Sequence, residues 1–156
     1  MKVAIGADHG GYSLKSDMVK VLEDLGHNVT DVGAHVYDAD DDFPDFTAPV
    51  AKAVQTGDAD RGIILCGSGV GACIVANKFP GVRAGLCHDT YSAGQGVRHD
   101  DMNVLCMGAR VVGVALAEDL VKSFMGATLE SHPRFRRRLD KVVAIENDQI
   151  ARAENR

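Results

Sequence analysis

Short runs of apolar residues alternate along this chain with longer segments in which apolar positions recur every three or four residues. The runs Val3-Ala4-Ile5, Val29 to Val32, Gly62-Ile63-Ile64-Leu65, Ala84-Gly85-Leu86 and Val104-Leu105-Cys106-Met107 predict strands of a parallel sheet covered on both faces. The clearest helix follows the first run: Leu14, Met18, Val21, Leu22 and Leu25 form one apolar stripe, with Gly26 as a C-cap. Further helices are predicted over Thr47 to Gln55, Val70 to Lys78, Tyr91 to Val97 and Val114 to Met125, with a last one from about Pro133 to Glu146. This alternation predicts an α/β fold. No internal repeat or linker interrupts it, so residues 1–156 are expected to form a single domain.

Composition narrows the function classes. The 156 residues are 46% hydrophobic and 25% charged, which argues against disorder and gives enough apolar surface for a core without disulfide or metal staples. With 17 Lys+Arg against 22 Asp+Glu the formal net charge is −5, a poor match to the phosphate backbone of nucleic acid. No apolar stretch reaches the roughly 18 residues of a membrane span, and the first residues begin a strand rather than a signal peptide. A cytoplasmic protein without membrane partners is expected. The four cysteines, Cys66, Cys73, Cys87 and Cys106, lack CxxC spacing and read as reduced thiols, with no metal site. The acidic stretch Asp38-Ala39-Asp40-Asp41-Asp42 reads as a solvated connection, because it lacks the glycine and terminal glutamate of a calcium loop.

In open parallel sheets ligands bind at the carboxyl ends of the strands, so the turns after each run carry the candidate chemistry. The first turn, Gly6-Ala7-Asp8-His9-Gly10-Gly11, places a carboxylate beside an imidazole before a helix. Asp8 either caps that helix or takes part in chemistry. The third strand leads into Cys66-Gly67-Ser68-Gly69-Val70-Gly71, a glycine loop whose amides and following helix can gather around an anion. It matches neither the Walker A pattern nor the dinucleotide fingerprint, so ATP and NAD are not supported. Cys66 lies beside the positive pole of that helix, a setting expected to lower its pKa. Cys73, Cys87 and Cys106 read as small buried hydrophobes. His99, next to Asp100, is a candidate general acid or base, while Asp89 either joins that chemistry or simply caps a helix. Arg134 and Arg138 share one helix face and either clamp a phosphate or form surface ion pairs.

Several of these phrases together, with Ala76-Asn77-Lys78, Asp89-Thr90-Tyr91-Ser92-Ala93, Asn103-Val104-Leu105 and Gly108-Ala109-Arg110-Val111-Val112-Gly113, resemble the RpiB/LacAB sugar-phosphate isomerase family, whose best-known type is ribose-5-phosphate isomerase B. The resemblance runs from about residue 2 to residue 146. It implies a three-layer α/β/α sandwich with a five-stranded, Rossmann-like parallel sheet and a C-terminal helix reaching a partner subunit. It also implies a homodimer with active sites built from both chains, the step to a tetramer left open. The implied reaction is cofactor-free aldose–ketose isomerisation of a phosphorylated sugar through an enediolate.

Carried over residue by residue, the catalytic set would be Cys66, His99, Asp8 and Ser68. Cys66 would be the base that moves a proton between C1 and C2, His99 would open the sugar ring, and Asp8 would assist at the hydroxyls. The amides of Gly67, Ser68, Gly69, Val70 and Gly71 would hold the enediolate oxygens. His9, Arg110, Arg134 and Arg138 would hold the phosphate, with Arg137 as an alternative to Arg138, and Asp100 would lie near the substrate hydroxyls. One subgroup uses a glutamate just past the glycine loop; that position is Ala72 in this chain, which leaves the role to Cys66.

Two departures bear on the sugar. Asp100 stands where pentose-phosphate members usually have asparagine, and Phe43 and Phe46 stand where tyrosine is frequent. Ribose 5-phosphate and ribulose 5-phosphate are the expected pair, with allose or galactose 6-phosphate and erythrulose 4-phosphate as rivals. A flavodoxin-like module that binds phosphate without catalysis is the rival from another class.

Overall fold

A computed structural model describes residues 1–155. In chain order its elements are β1 (Lys2–Ala7), α1 (Tyr12–Asp24), β2 (Asn28–Asp31), α2 (Phe43–Thr56), β3 (Arg61–Cys66), α3 (Val70–Ala76), β4 (Ala84–Leu86), α4 (Thr90–Asp100), β5 (Val104–Gly108), α5 (Val114–Gly126) and α6 (Pro133–Glu154). The five strands are all parallel, in the order β2-β1-β3-β5-β4. The predicted α/β architecture is therefore the one observed.

Side chains alternate across the three central strands and so feed two cores. Val3, Ile5, Ile63, Leu65, Leu105 and Met107 meet Leu14, Met18 and Leu22 of α1, Val97 of α4, and Leu120, Val121 and Phe124 of α5. On the other face Ala4, Ile64, Val104 and Cys106 meet Val50 and Ala51 of α2 and Ala72 and Ala76 of α3. Both faces of the three central strands are buried, which is why these strands read as continuous apolar runs, whereas the edge strands β2 and β4 have no buried residue.

Helix ends depart from the sequence expectation for local reasons. Helix α2 starts at Phe43 rather than Thr47, because Pro44 occupies its first turn, where a missing N–H costs no intrahelical bond. Helix α6 runs to Glu154 rather than Glu146. It is tied to the loop between α3 and β4 by the Glu146 carboxylate, which accepts the Gly81 N–H at 3.0 Å. Only Leu139 of its 22 residues is buried. The Arg61 guanidinium donates to the carbonyls of Phe124 and Ala127, the latter at 2.7 Å, and lies 5.0 Å from the Phe124 ring centre. It thereby satisfies carbonyls that the end of α5 leaves without intrahelical partners. Among the described residues no helix is long and apolar enough to cross a membrane, and no group of three or more ligating side chains could hold a metal ion.

Candidate active site

Strand β1 has β2 on one side and β3 on the other, so the chain reverses direction across the sheet between β1 and β3. In open parallel sheets the ligand crevice lies at such a reversal, outside the carboxyl ends of the strands. Asp8 follows β1 and Cys66 ends β3, and the Cys66 thiol donates to Asp8 Oδ2 at 2.9 Å. The other oxygen, Oδ1, accepts the Gly11 N–H at 3.0 Å. Asp8 is thus not the cap of α1, whose N-cap is Gly11 without a side-chain cap; one of its oxygens holds the Gly11 amide and the other faces the thiol. Close approach of the loops requires glycine, since a Cβ at Gly10 would lie 2.6 Å from the amide nitrogen of Gly67.

The glycine loop bends away from β3 through Gly69, whose φ of +80° is left-handed and whose Cβ position lies 2.6 Å from Leu86 Cδ1. The Gly67 and Gly69 amides point toward the Cys66 sulfur and favour its thiolate. Burial and the Asp8 carboxylate nevertheless outweigh them and push the Cys66 pKa up. This corrects the sequence expectation, which weighed the helix pole without the carboxylate that the fold places beside the sulfur. The lowered thiol is instead Cys73, brought to about 7 chiefly by a hydrogen bond from Cys106. Ser68 is exposed, and its hydroxyl accepts the Val70 N–H at 3.3 Å.

Arg110 follows β5, its amide donates to the Gly67 carbonyl at 3.0 Å, and its guanidinium lies over Gly67. His9 lies beside Asp8 and Arg110. The Phe43 ring covers Gly71, walling the loop with carbon, whereas Phe46 packs on Gly33. Of the two departures in that segment, only Phe43 borders the loop.

His99, Asp100, Arg134 and Arg138 form a second group, at the other end of the molecule. Helix α4 ends where β3 and β5 begin: Gly62 N–H donates to the Asn103 carbonyl, and Met102 N–H to Gly96. From Gly62 to Cys66 the strand rises about 13 Å, so one chain does not bring His99 to Cys66. His99 is stacked on Phe135 of α6 with ring centres 3.9 Å apart, and its Nδ1 lies 2.9 Å from Gln95 Nε2. Arg134 and Arg138 project from the same helix and are exposed. Asp89 caps α4, accepting the Ser92 N–H at 2.7 Å, which holds its carboxyl below the usual range.

Two residues have roles that no local pattern indicated. His88 Nε2 accepts the Gly108 N–H at 3.0 Å. Asp41, read as part of a solvated acidic loop, is half-buried with its side chain turned inward, while Asp38 and Asp40 are exposed as expected. Its Oδ1 accepts the backbone N–H of His9 at 3.0 Å and lies 2.6 Å from His9 Nδ1.

The family model described as Ribose/Galactose Isomerase matches residues 3–142. The chain belongs to the ribose/galactose isomerase family. Ribose-5-phosphate isomerase B of Escherichia coli is 43% identical over 93% of this chain and 96% of its own length. A protein named D-erythrulose-4-phosphate isomerase from Pectobacterium atrosepticum is 39% identical over 83% of this chain and 86% of its own length. Among solved structures, ribose-5-phosphate isomerase B of Clostridium thermocellum superposes with a TM-score of 0.90 at 43% identity, covering 96% of this chain and 99% of that one. The Mycoplasma genitalium ribose-5-phosphate isomerase B with bound ribulose 5-phosphate gives 0.88 at 39% identity, covering 94% and 96%. The family expectation is borne out, and with it the reading of this member as an aldose–ketose isomerase.

Proposed function

We propose that this family member interconverts ribose 5-phosphate and ribulose 5-phosphate, with Cys66 as the proton-transferring base and with each active site completed by a second copy of the chain. The observation that carries the reading is the Cys66–Asp8 pair beside the glycine loop at the β1/β3 crevice. Asp8 takes the thiol proton, and the thiolate removes the proton from C2 of the open-chain aldose. The resulting enediolate is held by the loop amides from Gly67 to Gly71, and the proton returns to C1. A thiolate whose conjugate acid is weak is the stronger base, which suits a weakly acidic C–H bond. Ser68 is assigned the proton exchange between O1 and O2.

His9 and Arg110 bind the phosphate from one chain. Arg134 and Arg138 bind it from the partner, which also supplies His99 as the ring-opening residue and Asp100 near the sugar hydroxyls. This division follows from the separation of the two groups within a chain. The cytoplasm is the proposed location; a phosphorylated sugar stays in the compartment in which it is made, because its charge keeps it from crossing membranes freely.

A second reading differs only in the length of the sugar: the Asp100 charge and the hydroxyl-free Phe43 wall favour testing a tetrose 4-phosphate, the substrate named for the Pectobacterium relative. The experiment is a coupled isomerase assay on phosphorylated tetroses, pentoses and hexoses, with Cys66→Ala beside the wild type. Pentose turnover that the substitution abolishes, with sugar-phosphate binding retained, is expected. Preferred turnover of another chain length corrects the substrate, and undiminished turnover by Cys66→Ala removes the thiol from the mechanism.

A further inference from the structure

Asp41 lies 32 residues from His9 in sequence, yet it contacts that residue twice through one oxygen. Its side chain is only 7% exposed, and its second oxygen, Oδ2, is buried without a hydrogen-bond partner among the described residues. An unpartnered carboxylate oxygen in the interior opposes folding, so stability alone does not account for this placement. What the contact does supply is a fixed imidazole. Nδ1 is committed to the carboxylate, and Nε2, which makes no hydrogen bond among the described residues, is the nitrogen left for a ligand.

We propose that Asp41 is a positioning residue that orients His9 and keeps it doubly protonated, so that Nε2–H is a charged donor to the substrate phosphate. The proposal rests on the assignment of His9 to the phosphate. The charged groups facing His9 are Asp41 from the acidic loop, Asp8 from the β1–α1 turn and Arg110 after β5. The hydrogen bond to Asp41 is the largest influence and raises the His9 pKa; the two carboxylates reinforce it, and partial burial and Arg110 oppose it.

The direction matters because a phosphate monoester becomes a dianion near pH 6, close to the ordinary histidine value of about 6.5. Without Asp41 the imidazole would lose its charge just as the phosphate gained its second one. With Asp41 the cation persists to higher pH and coexists with the dianion. The His9–Asp41 pair has no net charge, so its contribution is an aimed donor, and the arginines supply the positive potential.

The test combines histidine-ring NMR with pH-dependent kinetics. His9 ring resonances, identified by their loss in His9→Gln, are titrated in wild type and Asp41→Asn, whose folding is checked by circular dichroism. Inorganic phosphate serves as a competitive inhibitor. The wild-type His9 midpoint is expected above about 6.5 and lower in Asp41→Asn. In Asp41→Asn, KM and the phosphate inhibition constant are expected to rise about tenfold at pH 8, the scale of one charge-assisted hydrogen bond. Near pH 5.5 the rise shrinks, and kcat changes less than KM.

A wild-type midpoint at or below the ordinary value overturns the proposal whatever Asp41→Asn shows, as does an equal midpoint in wild type and Asp41→Asn. A lowered midpoint with unchanged phosphate affinity also overturns it. His9→Gln then separates the causes: unchanged KM there removes His9 from the phosphate site, whereas a raised KM leaves that assignment standing and rejects only the link to Asp41.

Discussion

At Cys66 two influences oppose each other. The Gly67 and Gly69 amides favour the thiolate, while burial and the Asp8 carboxylate favour the thiol, and the latter pair prevails. The free enzyme therefore holds a protonated sulfur with its acceptor 2.9 Å away. Replacing Asp8 by asparagine removes a negative charge from beside the sulfur, so the Cys66 midpoint must fall. Peptide-resolved iodoacetamide labelling at pH 8 is expected to show faster modification of Cys66 in Asp8→Asn than in wild type, although the same substitution lowers kcat. An unchanged labelling rate would show that the carboxylate does not hold the thiol proton. In the wild type at pH 7, Cys73 is expected to label ahead of Cys66, since its pKa is brought to about 7.

At the scale of elements, α5 is the helix whose loss would cost most. Phe124 is the largest of the fully buried side chains, and its backbone carbonyl also receives the Arg61 guanidinium from β3. Phe124→Ala is expected to lower stability by about 3–5 kcal/mol, read as a reduced midpoint in urea denaturation. A loss under about 1 kcal/mol would mean that the core closes over the vacated space. Helix α6 is the opposite case. With Leu139 as its single buried residue, and with Val142, Val143 and Ile145 exposed, its length has little support from this chain alone.

For the whole molecule, the two groups of candidate residues lie at opposite ends of the central strands. Mixing inactive Cys66→Ala and His99→Asn subunits under exchange conditions tests the shared site. Half of the resulting dimers are mixed, and each of these has one intact site, so recovery of about a quarter of wild-type turnover is expected for a two-fold dimer. Absence of recovery, with subunit exchange demonstrated, would mean that each chain supplies its own ring-opening group.

Hydrophobic patterning by itself determined the five strands and six helices, the parallel sheet and the sites of chemistry at strand exits, because period and turn residues are local properties. Motif order pointed to Cys66, Asp8, His9 and the glycine loop as candidates for one site, and the fold brings Cys66 and Asp8 into contact beside that loop. Contacts between distant segments lay outside its reach. Asp41 read as a solvated loop residue because nothing near it in sequence marks the fold that turns its side chain inward against His9. The direction of the Cys66 pKa was misjudged for the same reason, since the burial of the sulfur and the Asp8 carboxylate, 58 residues away, are both supplied by the fold. The start of α2 at Phe43 was legible locally, since Pro44 marks a first helical turn, whereas no local signal marked the extension of α6 to Glu154. Local pattern specifies which residues can face a core or turn, whereas burial and electrostatic partners are set by which distant segments the sheet order brings together.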